Sequence, residues 1–412
     1  MNVESPPVYA ANLAELPLGA AAAAELPREV LKVLRQRGVE AGPLLLLTSG
    51  RLRGRQLYAA PQFQLTSANI GTATTLSGNA DFVAVVLMVD DLRPPQLQSL
   101  LAAIAANLEP GVLLILLLRG AALPTLGREA AHLLLLRSGY DRVWPHKHGR
   151  TLCISARRAR VAGGSPRTCS IFVPVFNEQE TFPELMRRLL DKRLDHLGLE
   201  REIILVESNS TDGTREQVAA FATTPGVRIL WQDRPRGKGH AVRAGLAAAT
   251  GDIVLIQDAD LEYDVHDYDA LLEPLLNGEA AFVLGSRHSG RPGMRQFTDQ
   301  RLLGGIFNFG HHCFTLLLNI LYVQRMRDPF TMYKVFRRDC LHGLQFECNR
   351  FDFDHELLIK LLLKGYRPLE IPVRYRSRSF SEGKKIRPFR DALTWVLADF
   401  KYRLQPLRPR LE

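Results

Sequence analysis

Three apolar runs in the second half of this chain each end abruptly in polar residues, and that pattern constrains the fold most. Ser170-Ile171-Phe172-Val173-Pro174-Val175 leads into Phe176-Asn177-Glu178. Glu202-Ile203-Ile204-Leu205-Val206 leads into Glu207-Ser208-Asn209-Ser210-Thr211-Asp212-Gly213-Thr214. Ile253-Val254-Leu255-Ile256 leads into Gln257-Asp258-Ala259-Asp260. Runs of this length and composition read as buried strands, and helical patterns lie between them. Strands alternating with helices predict a parallel α/β sheet, whose ligands sit in the crevice beyond the strands' carboxyl ends. Asn177 and Glu178, Glu207 to Asn209, and Asp258 with Asp260 are therefore expected to face one cleft.

Within that cleft, Asp258 and Asp260 are two apart. In an extended strand they project the same way. Two hard oxygen ligands suit a divalent cation that keeps waters and bridges to a substrate diphosphate. Lys238 lies between Gly237 and Gly239, ahead of an Ala-rich helix that Gly251 stops. A cation, flexible backbone and helix N-terminal N–H groups together suit a diphosphate. Neither Gly-x-x-x-x-Gly-Lys-Ser/Thr nor Gly-x-Gly-x-x-Gly occurs, so a P-loop and a dinucleotide fingerprint are excluded.

Composition sets the outer bounds. The chain has 412 residues, 46% apolar and 23% charged, which describes a globular protein with room for two domains. A net charge of +10 and a pI near 9.5 point to an anionic partner. Five cysteines show no Cys-x-x-Cys pair, as expected for reduced thiols in a cytoplasm. The start lacks the basic n-region of a signal peptide. The stretch Leu302–Val323 is interrupted by Asn308, His311, His312 and Asn319, and reads as an amphipathic helix, buried or at an interface. His311 and His312 are adjacent and so cannot ligate from one helix face; they read as core or interface residues. A cytoplasmic protein follows as the expectation, with attachment to the inner membrane face open and no nucleic acid expected.

A Gly/Ser/Pro/Arg stretch divides the chain. The expected parts are residues 1–160, a linker at 161–168, a main domain at 169–388, and a basic amphipathic helix and tail at 389–412. The first block places strands at Leu44–Leu47, Phe82–Val89, Val112–Leu118 and Leu152–Ser155, with a helix from Pro95 to Leu108. This is a smaller Rossmann-like α/β domain. Its order of elements from Asp81 onward resembles the C-terminal half of class I methyltransferases. The cofactor half does not match: Leu47-Thr48-Ser49-Gly50-Arg51-Leu52-Arg53-Gly54 stands where an acidic residue and a Gly-x-Gly turn belong. A degenerate, non-catalytic relic is expected.

The second block carries a stronger resemblance. Val-Pro-Val-Phe-Asn-Glu from Val173, Val206-Glu-Ser-Asn-Ser-Thr-Asp-Gly-Thr, Arg236-Gly-Lys-Gly and Gln257-Asp-Ala-Asp-Leu-Glu-Tyr-Asp resemble family 2 glycosyltransferases of the GT-A fold. Gly285-Ser286-Arg287, the segment Asp328 to Arg338 and Glu382-Gly383-Lys384-Lys385-Ile386 are similar to the dolichyl- or polyprenyl-phosphate branch, including dolichol-phosphate mannosyltransferases. The resemblance implies inverting transfer of a hexose from a GDP- or UDP-linked sugar. Pro174, Asn177, Glu178, Glu207, Asn209, Lys238 and Asp258 would bind the nucleotide. Asp258, Asp260 and Glu262 would hold Mg²⁺ or Mn²⁺, and Lys238 and Arg287 would add electrostatic support. Asp328 would sit near the transferred sugar, as a base for hydroxyl acceptors or an orienting group for phosphate acceptors. Asp354 and Glu356 are secondary candidates.

The acceptor decides what else is needed. Transfer to a hydroxyl requires a group to take its proton, whereas a lipid phosphate is already an anion and requires cations instead. Arg374, Arg376, Arg378, Lys384, Lys385 and Arg387 cluster around Ser379-Phe380-Ser381-Glu382-Gly383, and arginine forks match phosphate oxygens. From Phe389 to Leu404, Leu393, Val396, Leu397 and Phe400 fall on helical spacing, suiting either an anionic membrane surface or packing on the sheet. Polyprenyl phosphate is the expected acceptor, a saccharide or other hydroxyl the alternative. A non-catalytic membrane- or nucleic-acid-binding protein is the reading from another class.

Overall fold

The computed structural model describes residues 22–37, 39–48, 57–69, 84–89, 94–106, 108–118, 128–148, 151–159, 168–288, 301–350, 352–378, 388–405 and 407. The chain forms two compact units, Met1–Gly164 with Pro409–Glu412, and Ser165–Arg408. The C-terminal helix thus belongs to the second unit.

The first unit comprises β1 (Ala22–Pro27), α1 (Arg28–Gln36), β2 (Gly42–Thr48), β3 (Leu57–Asn69), β4 (Ala84–Val89), α2 (Pro94–Ala106), β5 (Leu113–Leu118), α3 (Arg128–Arg137), β6 (Tyr140–His148) and β7 (Thr151–Arg158). They form a Rossmann-like sheet in the order β1-β3-β2-β4-β5-β7-β6. β3, β2, β4 and β5 run parallel, while β7 is antiparallel to both β5 and β6. Every residue of β4 and β5 is buried, as continuous apolar runs in a parallel sheet require. Alternate residues Leu44, Leu46, Val86, Met88, Ile115 and Leu117 share a core with Val30, Val33 and Leu34 of α1. The sequence reading missed β1, α1, β3, α3 and β6. β1 pairs antiparallel with β3, filling an outer sheet position from the start of the chain.

The second unit comprises β8 (Thr168–Val175), α4 (Phe182–Asp191), β9 (Glu200–Glu207), α5 (Thr214–Ala219), β10 (Val227–Trp231), α6 (Lys238–Ala248), β11 (Ile253–Ile256), α7 (Tyr268–Leu276), β12 (Phe282–Ser286), α8 (Arg301–Tyr322), β13 (Lys334–Arg337), α9 (Phe353–Lys364), β14 (Leu369–Pro372) and α10 (Pro388–Leu404). Their sheet order is β10-β9-β8-β11-β13-β12-β14. β10, β9, β8 and β11 are parallel, and β13 is antiparallel to both β11 and β12. This reversal matters for function. It brings the start of β13 to the same edge as the carboxyl ends of β8, β9, β11 and β12, so Asp328 to Tyr333 arrive beside Arg287. β14 completes the sheet parallel to β12.

Two close approaches fix α6 beside this edge. A side chain at Gly245 would meet the buried Phe172 ring at 2.7 Å. Gly237, directly before Lys238, has φ +98°, and a Cβ there would lie 2.4 Å from the Asn349 carbonyl oxygen. Only glycine tolerates both the backbone angle and the missing space. Replacing Gly237 by Ala is expected to lower stability by about 1–3 kcal/mol through strain and overpacking, read as a lower thermal or urea midpoint.

Candidate active site

The loops after β8 and β9 are sewn together. Asn177 and Asn209 adopt φ +50° and +60°, a left-handed turn that asparagine accepts readily. The Asn177 N–H donates to Ser210 Oγ at 3.0 Å, and its Oδ1 accepts from the Thr211 N–H at 2.9 Å. The Glu178 N–H donates to Thr214 Oγ1 at 2.9 Å. Glu207 is fully buried beneath this lacing. Its carboxylate accepts the Ser210 N–H at 2.6 Å and the Asn209 N–H at 3.1 Å, and pairs with Arg215. Backbone polarity that would otherwise face apolar surroundings is thereby satisfied.

Beyond the strand ends lies a cavity of about 430 Å³. Five carboxylates border it: Glu178, Asp258, Asp260, Glu262 and Asp354. β11 stops at Ile256, so Asp258 and Asp260 sit in the turn that follows. Their proximity comes from that turn, with Leu261 at φ +58°, and not from the side-chain alternation of a strand as the sequence suggested. Lys238 Nζ lies 2.7 Å from Asp258 Oδ1. Arg378 reaches Glu178 at 2.9 Å and Asp260 at 3.1 Å. Glu262 accepts the Arg378 N–H at 2.8 Å and the Tyr375 hydroxyl at 2.9 Å.

Electrostatics confirm the crowding. Burial first, and then the Asp258 and Glu262 charges, push the Asp260 carboxyl up to about 7. Burial opposes the Lys238 ammonium, but Asp258 and Asp354 outweigh it and raise its pKa. Burial likewise raises the Asp354 carboxyl, against the pull of Lys334 and Lys238. An Asp260 carboxyl that retains its proton near neutrality is short of positive charge, which fits a dication. Among the described residues, no three His, Cys, Asp or Glu side chains converge into a ready-made metal cage. Asp258 and Asp260 therefore fit a cation that takes its remaining ligands from water and a diphosphate, as Mg²⁺ commonly does.

The opposite wall is built on Arg287 and Asp328, an ion pair almost wholly removed from solvent. Arg287 Nε and Nη2 donate to the two Asp328 oxygens at 2.8 and 2.7 Å, and its N–H adds a third bond at 2.8 Å. Burial works against the Asp328 carboxylate, yet Arg287 holds its pKa well below the usual carboxylate range. Glu370 of β14 accepts the Arg327 and Asp328 N–H groups, setting the turn that delivers Asp328. The guanidinium borders the cavity and lies 5.3 Å from the Tyr375 ring centre.

Of the residues singled out in the sequence, Pro174, Glu178, Lys238, Asp258, Asp260, Glu262, Arg287 and Asp354 border the cavity. Asn177, Glu207 and Asn209 do not; they brace the loops behind it. Asp328 lies behind Arg287. Glu356 points away, accepting the N–H groups of Glu347 and Cys348. Among the described residues of the basic cluster, Arg378 reaches the cavity, on its acidic side. Arg374 is exposed and pairs with Asp264 at 3.3 Å, and the Arg376 N–H donates to the Glu262 carbonyl. Lys384, Lys385 and Arg387 fall outside the described residues. Sequence reasoning missed Tyr263, Phe330, Tyr375 and His355 as wall residues. An aromatic ring or imidazole in the sequence gives no local signal that one face will border a cavity.

Comparison with known proteins bears on the second unit. Residues 170–344 match the family described as glycosyl transferase family 2. A dolichol-phosphate mannosyltransferase from Pyrococcus furiosus is 26% identical over 219 residues, covering 52% of this chain and 58% of that protein. An undecaprenyl-phosphate 4-deoxy-4-formamido-L-arabinose transferase from Sodalis glossinidius is 28% identical, covering 52% and 62%. The chain thus spans less than two thirds of the length of these relatives. Among solved structures, glucosyl-3-phosphoglycerate synthase from Mycobacterium tuberculosis, in complex with Mn²⁺, UDP-glucose and phosphoglyceric acid, is 23% identical. It covers 58% of this chain and 81% of that chain, with a TM-score of 0.43. Mannosyl-3-phosphoglycerate synthase from Rubrobacter xylanophilus is 20% identical, covering 58% and 77%, with a TM-score of 0.45. Strand ends, acidic turn and Gly-Ser-Arg segment thus fall within the part of the second unit that is similar to glycosyl transferase family 2.

Proposed function

We propose that this domain transfers a sugar from a nucleotide-diphosphate donor to a phosphate-bearing acceptor, and that the acceptor is a polyprenyl phosphate met at a membrane surface. The observation that carries the reading is the state of Asp328. Both its oxygens are held by Arg287, and its low proton affinity makes it a poor base. A phosphate acceptor needs no strong base, and Arg287 offers it positive charge at the cavity wall. The names of the two curated relatives support the same acceptor class.

Two helices favour a membrane surface. α8 turns His311, Thr315 and Leu318 inward, while Phe309, Leu316 and Ile320 are exposed. On α10 the apolar row reads outward: Leu397, Phe400 and Leu404 are exposed, and Ala398, Asp399 and Tyr402 are buried. Exposed apolar rows suit an interfacial position, and on α10 Lys401 and Arg403 add basic charge. No described helix is long and apolar enough to cross a membrane.

In this reading, Asp258 and Asp260 would hold Mg²⁺ or Mn²⁺, and the ion would supply positive charge for the leaving nucleoside diphosphate. Lys238 and the N-terminus of α6 face the donor's phosphates, and Pro174 and Glu178 border the nucleoside end. Arg287 orients the acceptor. The first unit is a methyltransferase-like domain without catalysis, with the domain division near residues 161–168. A second reading, transfer to a hydroxyl, is favoured by Asp354, whose raised pKa and position at the cavity would suit a base.

A panel of GDP- and UDP-sugars with short-chain polyprenyl phosphate and simple saccharides separates these readings. Transfer to the lipid phosphate is expected; transfer confined to hydroxyl acceptors, and abolished in Asp354→Asn, sinks the first reading. Asp258→Asn and Asp260→Asn should each lower Mn²⁺-dependent turnover by about 100-fold or more, with weaker Mn²⁺ binding in the presence of UDP. Asp328→Ala strands a buried guanidinium and is expected to cost about 3–5 kcal/mol in a denaturation series. Arg287→Lys keeps a charge but loses the fork, so turnover should fall further than stability.

A further inference from the structure

One buried pair is not used by the chemistry above. His355, in the first turn of α9, borders the cavity beside Phe330. Its Nδ1 lies 2.9 Å from Asp399 Oδ1, and Asp399 is fully buried on α10. The second oxygen of Asp399 has no hydrogen-bond partner among the described residues. A buried carboxylate with one partner is an unfavourable arrangement unless it serves something. The imidazole is also stacked on Phe330, with ring centres 4.6 Å apart and planes 19° apart. Both its rotation and its tautomer are fixed: a carboxylate at Nδ1 keeps the proton there and leaves Nε2 as the basic nitrogen.

We propose that His355, oriented by Asp399, is the acceptor-contacting residue that takes the last proton of a phosphate monoester acceptor during transfer. The inference rests on the glycosyltransferase reading and deepens it. A phosphate monoester that still carries its second proton can pass it to a neighbouring imidazole nitrogen. The acceptor oxygen forms a bond to the sugar's C1 as the bond from C1 to the donor's β-phosphate oxygen breaks. The electron pair of that broken bond leaves with the nucleoside diphosphate. The acceptor's proton passes to Nε2 and then to solvent, and Asp399 stabilises the transient imidazolium. Asp399 from α10 bonds His355, Asp354 precedes it on α9 and interacts with it electrostatically, and Arg287 and Arg350 border the same cavity. Asp399 acts only through His355 and is a positioning residue.

The test uses the whole chain with Mn²⁺ and UDP or a nucleotide sugar. Geranyl phosphate, inorganic phosphate and a simple saccharide serve as acceptor probes, by calorimetry and steady-state kinetics. His355→Gln should lower kcat/KM for geranyl phosphate at least 30-fold and weaken its binding, with UDP affinity within twofold of wild type. Asp399→Asn should lower kcat about tenfold and displace the acidic limb of the pH profile. The double variant, which removes the buried charge as well, should fold and show the loss of His355→Gln. If inorganic phosphate binds as well as geranyl phosphate and depends equally on His355, the phosphate itself is what the pair recognises. If wild type binds geranyl phosphate but cleaves no nucleotide sugar, the transfer reading fails, and the binding change in His355→Gln alone decides this proposal. Variants that melt lower but keep wild-type acceptor affinity, kcat and pH profile overturn it.

Discussion

Carboxylates gathered in a confined space repel one another, and everything about this site follows from how that repulsion is relieved. Five acids and four cations, Lys238, Arg287, Arg350 and Arg378, border one cavity. The acids come from the ends of β8 and β11 and from α9, and the cations come from different elements again. Lys238 is delivered by a glycine that cannot be replaced without strain, Arg287 by the end of β12, and Arg378 by the segment after β14. The fold is thus a device for meeting opposite charges at one sheet edge in a low-dielectric setting, where such interactions are strong and mismatches costly.

The division of labour between the two walls has a physical basis. On the acidic wall, Asp260 retains a proton near neutrality because burial and neighbouring charges both favour the neutral form. On the other wall, Asp328 has the reverse tendency because Arg287 holds it from three donors. The first wall is short of positive charge, while the second holds Asp328 ionised against the Arg287 guanidinium. On the proposed reading, a donor diphosphate and an anionic acceptor would meet different electrostatic surroundings.

How much of this was legible in the sequence depended on distance along the chain. The strands β8, β9, β10 and β11 and their polar ends could be read locally, because apolar runs and turn residues are local signals. Asp258, Asp260 and Lys238 were legible for the same reason. Glu207 was assigned to the nucleotide because a strand-end acid in a cleft invites it; the structure shows its carboxylate occupied by the backbone of its own loop. Arg374 and Arg376 were grouped with Arg378 on charge alone, and only tertiary packing shows that they part company. The apolar spacing of α10 was visible, but not that its apolar row would face outward. Asp399 sits on the buried side of that helix, where sequence spacing gave no sign of a histidine 44 positions away.

β14 carries a consequence of its own. Its four residues close the sheet beside β12, pairing Val283 with Leu369 and Ser286 with Pro372. Its Glu370 also secures the turn that presents Asp328. A chain shortened to the recognisable family segment, residues 170–344, would keep the acidic turn and the Gly-Ser-Arg sequence. It would also leave β12 as a naked apolar margin, with free amides and carbonyls inviting association with another chain. The boundary drawn by similarity is therefore narrower than the smallest piece of this protein that can remain soluble and alone.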